Sequence, residues 1–273
     1  SKGRAIQNLI NIEQDDKVKA FICTQDLKDE DYINSQYVIM ATKKGQVKKT
    51  SLEQYSRPRT NGINAITIKE DDELLEAKLT TGESQVVIAL KSGKAIRFEE
   101  AKTRPMGRGA SGVRGITLAH EADEVIGMIA VDDMESNILV VSENGYGKRS
   151  SLGDYRITNR GGKGVKTISI TDKTGNLVSI KNVTDEDDLM IINKSGVAIR
   201  LAVEDLRVMG RATQGVRLIN LKGNDSIAAV AKVMREDEEE IDEDAEQTEE
   251  GSGEINASQT DELANNTQLE EEE

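Results

Sequence analysis

Two ladders of glycine run through the 273-residue chain at a single period. Gly45, Gly93, Gly145 and Gly196 lie 48, 52 and 51 residues apart, and Gly62, Gly112, Gly164 and Gly215 follow at 50, 52 and 51. Two independent markers that keep one period identify a repeat. A repeat restricts the fold to architectures in which each unit buries its apolar surface against its neighbours. In each copy the first glycine closes a polar turn between two short apolar runs, as in Val86-VIALKSGKAIRF. Four residues beyond the second glycine comes an alternating pair: Ile66/Ile68, Ile116/Leu118, Ile168/Ile170 and Ile219/Leu221. An acidic or polar turn follows, then a third apolar run (Leu74–Leu79, Val125–Val131, Leu177–Val183, Ile227–Val233). Ile10/Ile12 and then Val18–Ile22 match the back half of a fifth copy, so a longer parent chain is expected.

Each copy offers about four strand candidates of 5–7 residues, β-branched and separated by Gly and Asp/Asn turns, with no competing amphipathic helix. Val86–Leu90 is continuously apolar and suits a strand buried on both faces, whereas Ile168-Ser169-Ile170 alternates and suits a half-exposed one. Four strands per unit predict an all-β, propeller-like fold of four full blades and a partial one. The expected division is 1–35 (partial blade), 36–84, 85–136, 137–187 and 188–235 (blades), and 236–273 (tail).

Charge divides the chain at the same place. The formal net charge is −14, yet residues 236–273 hold 18 acidic groups and no Lys or Arg. The preceding 235 residues carry 36 basic against 32 acidic groups, a net of +4. The tail has few apolar residues and dense like charge, so it is expected to be disordered. It is either a solvating appendage or a polyanion that competes for cationic sites on the preceding 235 residues. No apolar run approaches the ~20 residues a membrane-spanning helix needs, and no membrane partner is expected. No signal segment opens the chain and a single Cys forms no internal disulfide, which together fit a reducing cytoplasm. Cys23 reads as a small buried strand residue, and the lone His120 as a turn residue beside Glu121 and Asp123. Trp is absent and His occurs once, so no catalytic constellation or metal site stands out, and no cofactor is expected in this chain.

A repeat kept only for packing would retain glycines and apolar positions. This one also retains cations. Four residues after the first glycine stand Lys49, Arg97, Arg149 and Arg200. Eight and four residues before the second glycine stand Arg104 and Arg108, Arg156 and Arg160, Arg207 and Arg211. Two residues after it come Arg114, Lys166 and Arg217. The first copy is a shorter variant with Arg57 and Arg59 in this connection, and Lys48, Lys148 and Lys163 complete the candidate set. Equivalent residues on equivalent blades would form a positive belt. Arginine suits phosphate because its planar fork donates two hydrogen bonds at once, and the Gly-rich stretch Arg160-Gly-Gly-Lys-Gly164 admits close backbone approach. That stretch lacks Walker A spacing, since Val165 stands where Ser/Thr is needed. A belt of this kind fits duplex DNA curved around the protein and held through its backbone, so bendability should matter more than base sequence. With only 5 Tyr and 2 Phe, a stacking platform for single strands is disfavoured.

Asn144-Gly-Tyr-Gly-Lys-Arg149, Met106-Gly-Arg with Gly112-Val-Arg-Gly115-Ile, Met209-Gly-Arg-Ala-Thr-Gln-Gly215-Val and Lys43-Lys-Gly-Gln-Val-Lys-Lys-Thr50 resemble the C-terminal DNA-wrapping domains of bacterial DNA gyrase A proteins. The similarity covers residues 1–235, and an acidic tail also fits that family. The resemblance implies a β-pinwheel, six-bladed in the family, with the first blade and the front of the second not represented here. It further implies a non-catalytic part that wraps DNA, so that ATP-driven strand passage introduces negative supercoils. The implied partners are duplex DNA, the remainder of gyrase A, and gyrase B in an A2B2 holoenzyme, associated with the nucleoid. ATP and Mg would belong to that holoenzyme and not to this chain. Arg160–Gly164 matches the last five residues of the family's Gln-Arg-Arg-Gly-Gly-Lys-Gly box, with Thr158-Asn159 in the first two places, and the box normally belongs to the first blade. The alternatives are the corresponding domain of topoisomerase IV and a propeller-like protein-interaction scaffold.

Overall fold

The computed structural model describes Asn8 and residues 16–235. Ile10, Ile12 and the whole of the expected disordered tail lie outside the described residues. By its contacts the chain divides into two units, Ser1–Arg235 and Glu236–Glu273.

A short helix, α1 (Glu30–Ser35), N-capped by Asp29, precedes fifteen strands. These are β1 (Tyr37–Thr42), β2 (Gln46–Ser51), β3 (Leu74–Thr80), β4 (Gln85–Leu90), β5 (Lys94–Glu99), β6 (Val113–Arg114), β7 (Val125–Val131) and β8 (Asn137–Ser142). They continue as β9 (Tyr146–Ser151), β10 (Val165–Lys166), β11 (Leu177–Val183), β12 (Asp187–Asn193), β13 (Ala198–Ala202), β14 (Val216–Arg217) and β15 (Ile227–Met234). They form four antiparallel sheets, ordered β3-β1-β2-β6, β10-β5-β4-β7, β11-β8-β9-β14 and β13-β12-β15.

The sheets pack in chain order, and the central strands explain the unbroken apolar runs. Along β4, Val86, Ile88 and Leu90 enter the core shared with Ile39 and Val47 of the first sheet. The alternate residues Val87 and Ala89 enter the core shared with Ile138 and Val140 of the third. Leu139 and Val141 turn to the opposite side and meet Leu189 and Ile191 of the fourth sheet. A strand buried on both faces has no polar side, so its sequence does not alternate. The outer face of the first sheet is covered by α1, with Ile33, Val38, Met40 and Ala77 in one cluster.

One expectation changes in an instructive way. A copy does not supply all four strands of its sheet. Three strands of a full sheet come from one repeat, and the fourth is a two-residue strand lent by the next: β6 joins β2, β10 joins β5 and β14 joins β9. Two residues carry no periodicity, so this exchange leaves no alternating pattern in the sequence. The pairs Ile116/Leu118, Ile168/Ile170 and Ile219/Leu221 are likewise not strands; Ile116, Ile168 and Ile219 are buried as plugs just beyond each exchanged strand.

The glycine ladders are the two sides of this exchange. The carbonyl of Gly45 accepts from the N–H groups of Gly115 and Ile116, that of Gly93 from Thr167 and Ile168, and that of Gly145 from Leu218 and Ile219. A Cβ on Gly45, Gly93 or Gly145 would sit 2.9, 2.9 or 2.8 Å from the carbonyl oxygen of Ile116, Ile168 or Ile219. On the donor side, a Cβ on Gly112, Gly164 or Gly215 would sit 2.6, 2.5 or 2.5 Å from the carbonyl oxygen of Val47, Ala95 or Gly147. All six have positive φ, which side chains resist. At the two ends of the described array, Gly62 and Gly196 keep positive φ with nothing within 4 Å of their Cβ positions.

Val18–Ile22 is not a strand, because the described residues hold no hairpin for it to join; Ala20 and Ile22 pack instead against the α1 cluster, and Lys19 pairs with Glu73 at 2.9 Å. Cys23, expected to be buried in that strand, is exposed for the same reason.

Gly93 and Gly196 separate the cost of left-handed backbone from the cost of close approach. Gly196→Ala should lose about 1 kcal/mol, the strain alone, and Gly93→Ala about 2–4 kcal/mol, because its methyl also displaces the exchanged segment. Urea denaturation of the two variants measures the difference; equal losses would remove close approach as the reason for the ladder.

Candidate nucleic-acid interface

The segment between the hairpin and the third long strand of each repeat carries most of the recurring cations. It first runs beside the preceding sheet, where Met106, Thr158 and Met209 donate N–H bonds of 2.8, 2.9 and 2.8 Å to the carbonyls of Lys49, Arg97 and Arg149. It then loops out and returns as the exchanged strand. Successive connections are tied to one another: Thr67 N–H donates to the Ala110 carbonyl at 3.3 Å, Thr117 to Gly162 at 2.9 Å and Ser169 to Thr213 at 3.1 Å. Side chains reinforce the joints. Arg160 donates to the Lys102 and Arg114 carbonyls at 3.0 and 3.1 Å, and Arg211 to the Asp154 and Lys166 carbonyls at 3.1 and 2.8 Å. The four connections are thus one hydrogen-bonded strip.

Its composition is one-sided. Residues 56–69, 103–120, 155–171 and 206–224 contain 14 Lys and Arg and no Asp or Glu, although the chain up to residue 235 has 32 acidic groups elsewhere. Arg57, Arg59, Arg104, Arg114, Arg156, Lys163, Lys166, Arg207 and Arg217 are exposed on this strip, and Arg108, Arg160 and Arg211 are half-buried in it. Lys163 and Arg156 also flank a cavity of about 220 Å³ over the Gly162–Gly164 backbone.

Six candidate cations are elsewhere. Lys48, Lys49, Arg97, Lys148 and Arg149 are buried in the second strands of their hairpins, withdrawn from solvent. The series four residues past the first glycine forms a clasp on the next repeat. Lys49 lies 3.6 Å from the fully buried Glu100 and 4.7 Å from the ring centre of Tyr37. Arg97 donates to the carbonyls of Leu152 and Tyr155 at 2.6 and 3.0 Å and to the Gln85 side chain at 2.5 Å. Arg149 reaches the Leu206 carbonyl and Asp185. The fourth member, Arg200, has no following repeat among the described residues; its side chain is 45% exposed and pairs with Asp188 of its own sheet at 2.7 Å. Burial holds the Arg97 guanidinium below its ordinary pKa, but an arginine stays charged.

Lys48 and Lys148 lie directly beneath the strip. The Lys48 ammonium donates to the carbonyls of Ala65 and Arg108, each at 2.5 Å, and that of Lys148 to the Gly210 carbonyl at 2.6 Å. Loss of solvent is the main cause that lowers both groups to a pKa of about 8; Arg108 adds to it at Lys48, while at Lys148 Asp154 opposes it and Arg211 adds to it.

Tyr146 belongs to the site although the cation pattern does not point to it. Its hydroxyl accepts from Arg217 Nη2 at 2.8 Å and Nε at 3.3 Å, and Lys173 stands 5.3 Å over its ring. The Arg217 hydrogen bond holds the phenol below its ordinary pKa. The available signal is its place immediately after Gly145, where the other copies have Gln46, Lys94 and Val197. His120 sits exposed in a turn, and its carbonyl accepts the Asp123 N–H at 3.1 Å.

A family model described as DNA gyrase C-terminal domain, beta-propeller, matches residues 36–81, 91–132, 136–184 and 187–234. The chain belongs to this family. It is 46% identical over 249 residues to the DNA gyrase A protein of Staphylococcus aureus (strain NCTC 8325 / PS 47), a match that covers 91% of this chain and 28% of that protein. The chain thus spans little more than a quarter of the length of the curated relatives it matches. Among solved structures, a DNA gyrase A C-terminal domain superposes with a TM-score of 0.75 at 25% identity, covering 86% of this chain and 76% of that one. The C-terminal domain of a DNA topoisomerase IV gives 0.77 at 24% identity, covering 85% and 71%. That likeness concerns the fold alone; the sequence match lies with gyrase A.

Within this gyrase C-terminal domain, buried and exposed arginines should separate in a stability assay. Arg97→Ala leaves the Leu152 and Tyr155 carbonyls without their donor and is expected to cost about 2–3 kcal/mol, whereas Arg156→Ala should change stability by less than about 0.5 kcal/mol. Chemical denaturation decides, and equal losses would reject the clasp.

The two lysines predict a pH dependence. A lysine with a folded pKa of about 8 and an ordinary unfolded value of 10.5 opposes folding at neutral pH, and that penalty is relieved as pH rises from about 8 to 10.5. Replacing both by Met should therefore favour the variant most near pH 7, with the difference from the parent chain shrinking towards pH 10. A difference constant across that range would contradict the assignment.

Proposed function

We propose that this chain binds duplex DNA along the acid-free strip and curves it around the stacked sheets, as the non-catalytic C-terminal part of a gyrase A protein. The observation that carries the reading is the continuity of the strip: four connections joined by repeated backbone hydrogen bonds, whose central segments 56–69, 103–120, 155–171 and 206–224 hold 14 cations and no carboxylate, the acids of each connection lying at its two ends. Fixed arginines on a rigid track neutralise successive phosphates, and counterion release supplies the affinity. The strip offers no helix or long ribbon for a groove, so contacts go to the backbone and preference follows bendability. A protein-interaction scaffold would have no reason to keep acids out of the central segments of all four connections.

In the intact protein, this wrap would present a DNA crossing to the breakage machinery carried by the rest of gyrase A, with gyrase B supplying ATP-driven passage in an A2B2 assembly. ATP and Mg would act there. Residues 36–84, 85–136, 137–187 and 188–235 would be the successive blade repeats of the wrap, and 1–35 part of another. The site would lie in the cytoplasm, at the nucleoid. Residues 236–273, with 18 acidic groups, would compete with DNA for the strip and tune wrapping.

The triple variant Arg104→Ala, Arg156→Ala, Arg207→Ala tests the reading, because all three side chains are exposed and lie outside the clasp. Its duplex affinity should fall for every sequence alike, and the slope of log K against log salt should flatten by about three phosphates' worth, each about 0.9. A slope equal to that of the unaltered chain would sink the strip as the DNA track.

A further inference from the structure

Lys48 and Lys148 are buried charges that the DNA reading does not use, and the repeat shows what they accompany. The position three residues after the hairpin glycine is Lys48, Ile96, Lys148 and Ile199 in the four copies. Each lysine underlies a connection that reads Met-Gly-Arg: Met106-Gly107-Arg108 over Lys48 and Met209-Gly210-Arg211 over Lys148. Ile96 underlies the connection that reads Gly161-Gly162-Lys163, and its Cδ1 lies 3.4 Å from where a Gly162 Cβ would stand. That connection carries its lysine outward instead, and Lys163 is exposed. A lysine therefore accompanies each of these three connections, either beneath it or upon it.

The lysines beneath are placed at joints. Lys48 holds the carbonyls of Ala65 and Arg108, which belong to two successive connections, and so staples them from below. Lys148 holds the carbonyl of Gly210, the residue before Arg211, whose guanidinium reaches back to the Lys166 carbonyl of the preceding connection. Without the ammonium, the Met-Gly-Arg turn has a glycine at its centre and solvent outside it; Gly107 and Gly210 have nothing within 4 Å of their Cβ positions. The Met106 and Met209 N–H groups tie the start of each turn to the preceding sheet, and Thr213 also holds the Gly210 carbonyl; the ammonium is the hold from beneath. Burying an ammonium opposes folding, and an apolar side chain of similar length usually restores or improves stability. Charges held at such a cost point to a role in the interface.

We propose that Lys48 and Lys148 are positioning residues of the DNA track: they touch no phosphate, but fix the Met-Gly-Arg connections so that the exposed arginines stand in register from one repeat to the next. This rests on the DNA reading above.

The test uses the full chain with Lys148→Met, Lys48→Met and Lys148→Gln, which keeps a hydrogen-bond donor. Three measurements are needed: thermal unfolding, amide hydrogen exchange, and salt-dependent binding to a short duplex of random sequence. Both Met variants should unfold at the same or a higher temperature. Amides of residues 207–215 should exchange faster in Lys148→Met, and those of 104–112 in Lys48→Met. Duplex affinity should fall about fivefold, the equivalent of one well-made hydrogen bond, and Lys148→Gln should recover most of it. A lower unfolding temperature with unchanged affinity would mark a purely structural role and overturn the proposal. So would an equal loss of affinity in Lys148→Met and Lys148→Gln, which would assign the effect to charge. If the unaltered chain binds no duplex at low salt, the DNA reading fails by itself; unchanged exchange at 207–215 and 104–112 fails the lysines by itself.

Discussion

The approach of one repeat's connection to the hairpin glycine of the repeat before it governs the rest of the structure. A two-residue strand cannot hold by itself, so its pairing is supported on each side: the hairpin glycine carbonyl takes two N–H groups, an isoleucine plugs the shared core, and a buried cation clasps the following turn. Every one of these contacts joins repeat to repeat, not residues within one. Stability in such an array is a sum of neighbour terms more than a property of any single sheet. The exchange also forces the chain outward between its clasped start and its return, and that outward excursion is the strip.

The ends of the described array serve as internal controls. At the last sheet no following repeat lends a strand among the described residues, and the features assigned to exchange change there together. Gly196 gains open space, Arg200 swings to a carboxylate of its own sheet, β13 becomes an edge and Val197 is 54% exposed. At the first sheet, Gly62 has open space too. The hairpin glycine and the cation four residues beyond it recur in the last copy as in the middle ones; what differs there is the neighbour. The hairpin glycine therefore answers to its left-handed turn in every copy and to close approach only where a neighbouring repeat is present, while the partner of the recurring cation is set by that neighbour.

Much of this was legible beforehand. The glycine ladders located the hairpins and connections, and the continuous run Val86–Leu90 announced a strand buried on both faces. Strand exchange was not legible, because Val113–Arg114 is too short to show a period. Nor did recurrence separate the two kinds of cation: Arg97 and Arg156 both return at fixed offsets, and fixed offsets follow from symmetry whatever the residue does. The separating signal was local. Arg97 sits inside an apolar strand, Ala95-Ile96-Arg97-Phe98, whereas Arg156 sits in a stretch from which acids are absent. Val18–Ile22 and Cys23 depart from the strand their sequence suggests because an apolar run becomes a strand only where a partner edge is available.

The division between buried and exposed cations also corrects how charge bears on binding. Counterion release counts phosphates that are met by a cation at the surface; a guanidinium already saturated by carbonyls inside the protein adds little to it. The 36 Lys and Arg of the chain therefore overstate the phosphate contacts open to the proposed DNA track, and the net charge of −14 understates them. What sets the number of contacts is how many cations the fold places on the strip and how rigidly it holds them there. The same side-chain chemistry serves both ends: buried arginines such as Arg97 fasten one repeat to the next, and that fastening fixes the spacing at which Arg104, Arg156 and Arg207 meet solvent.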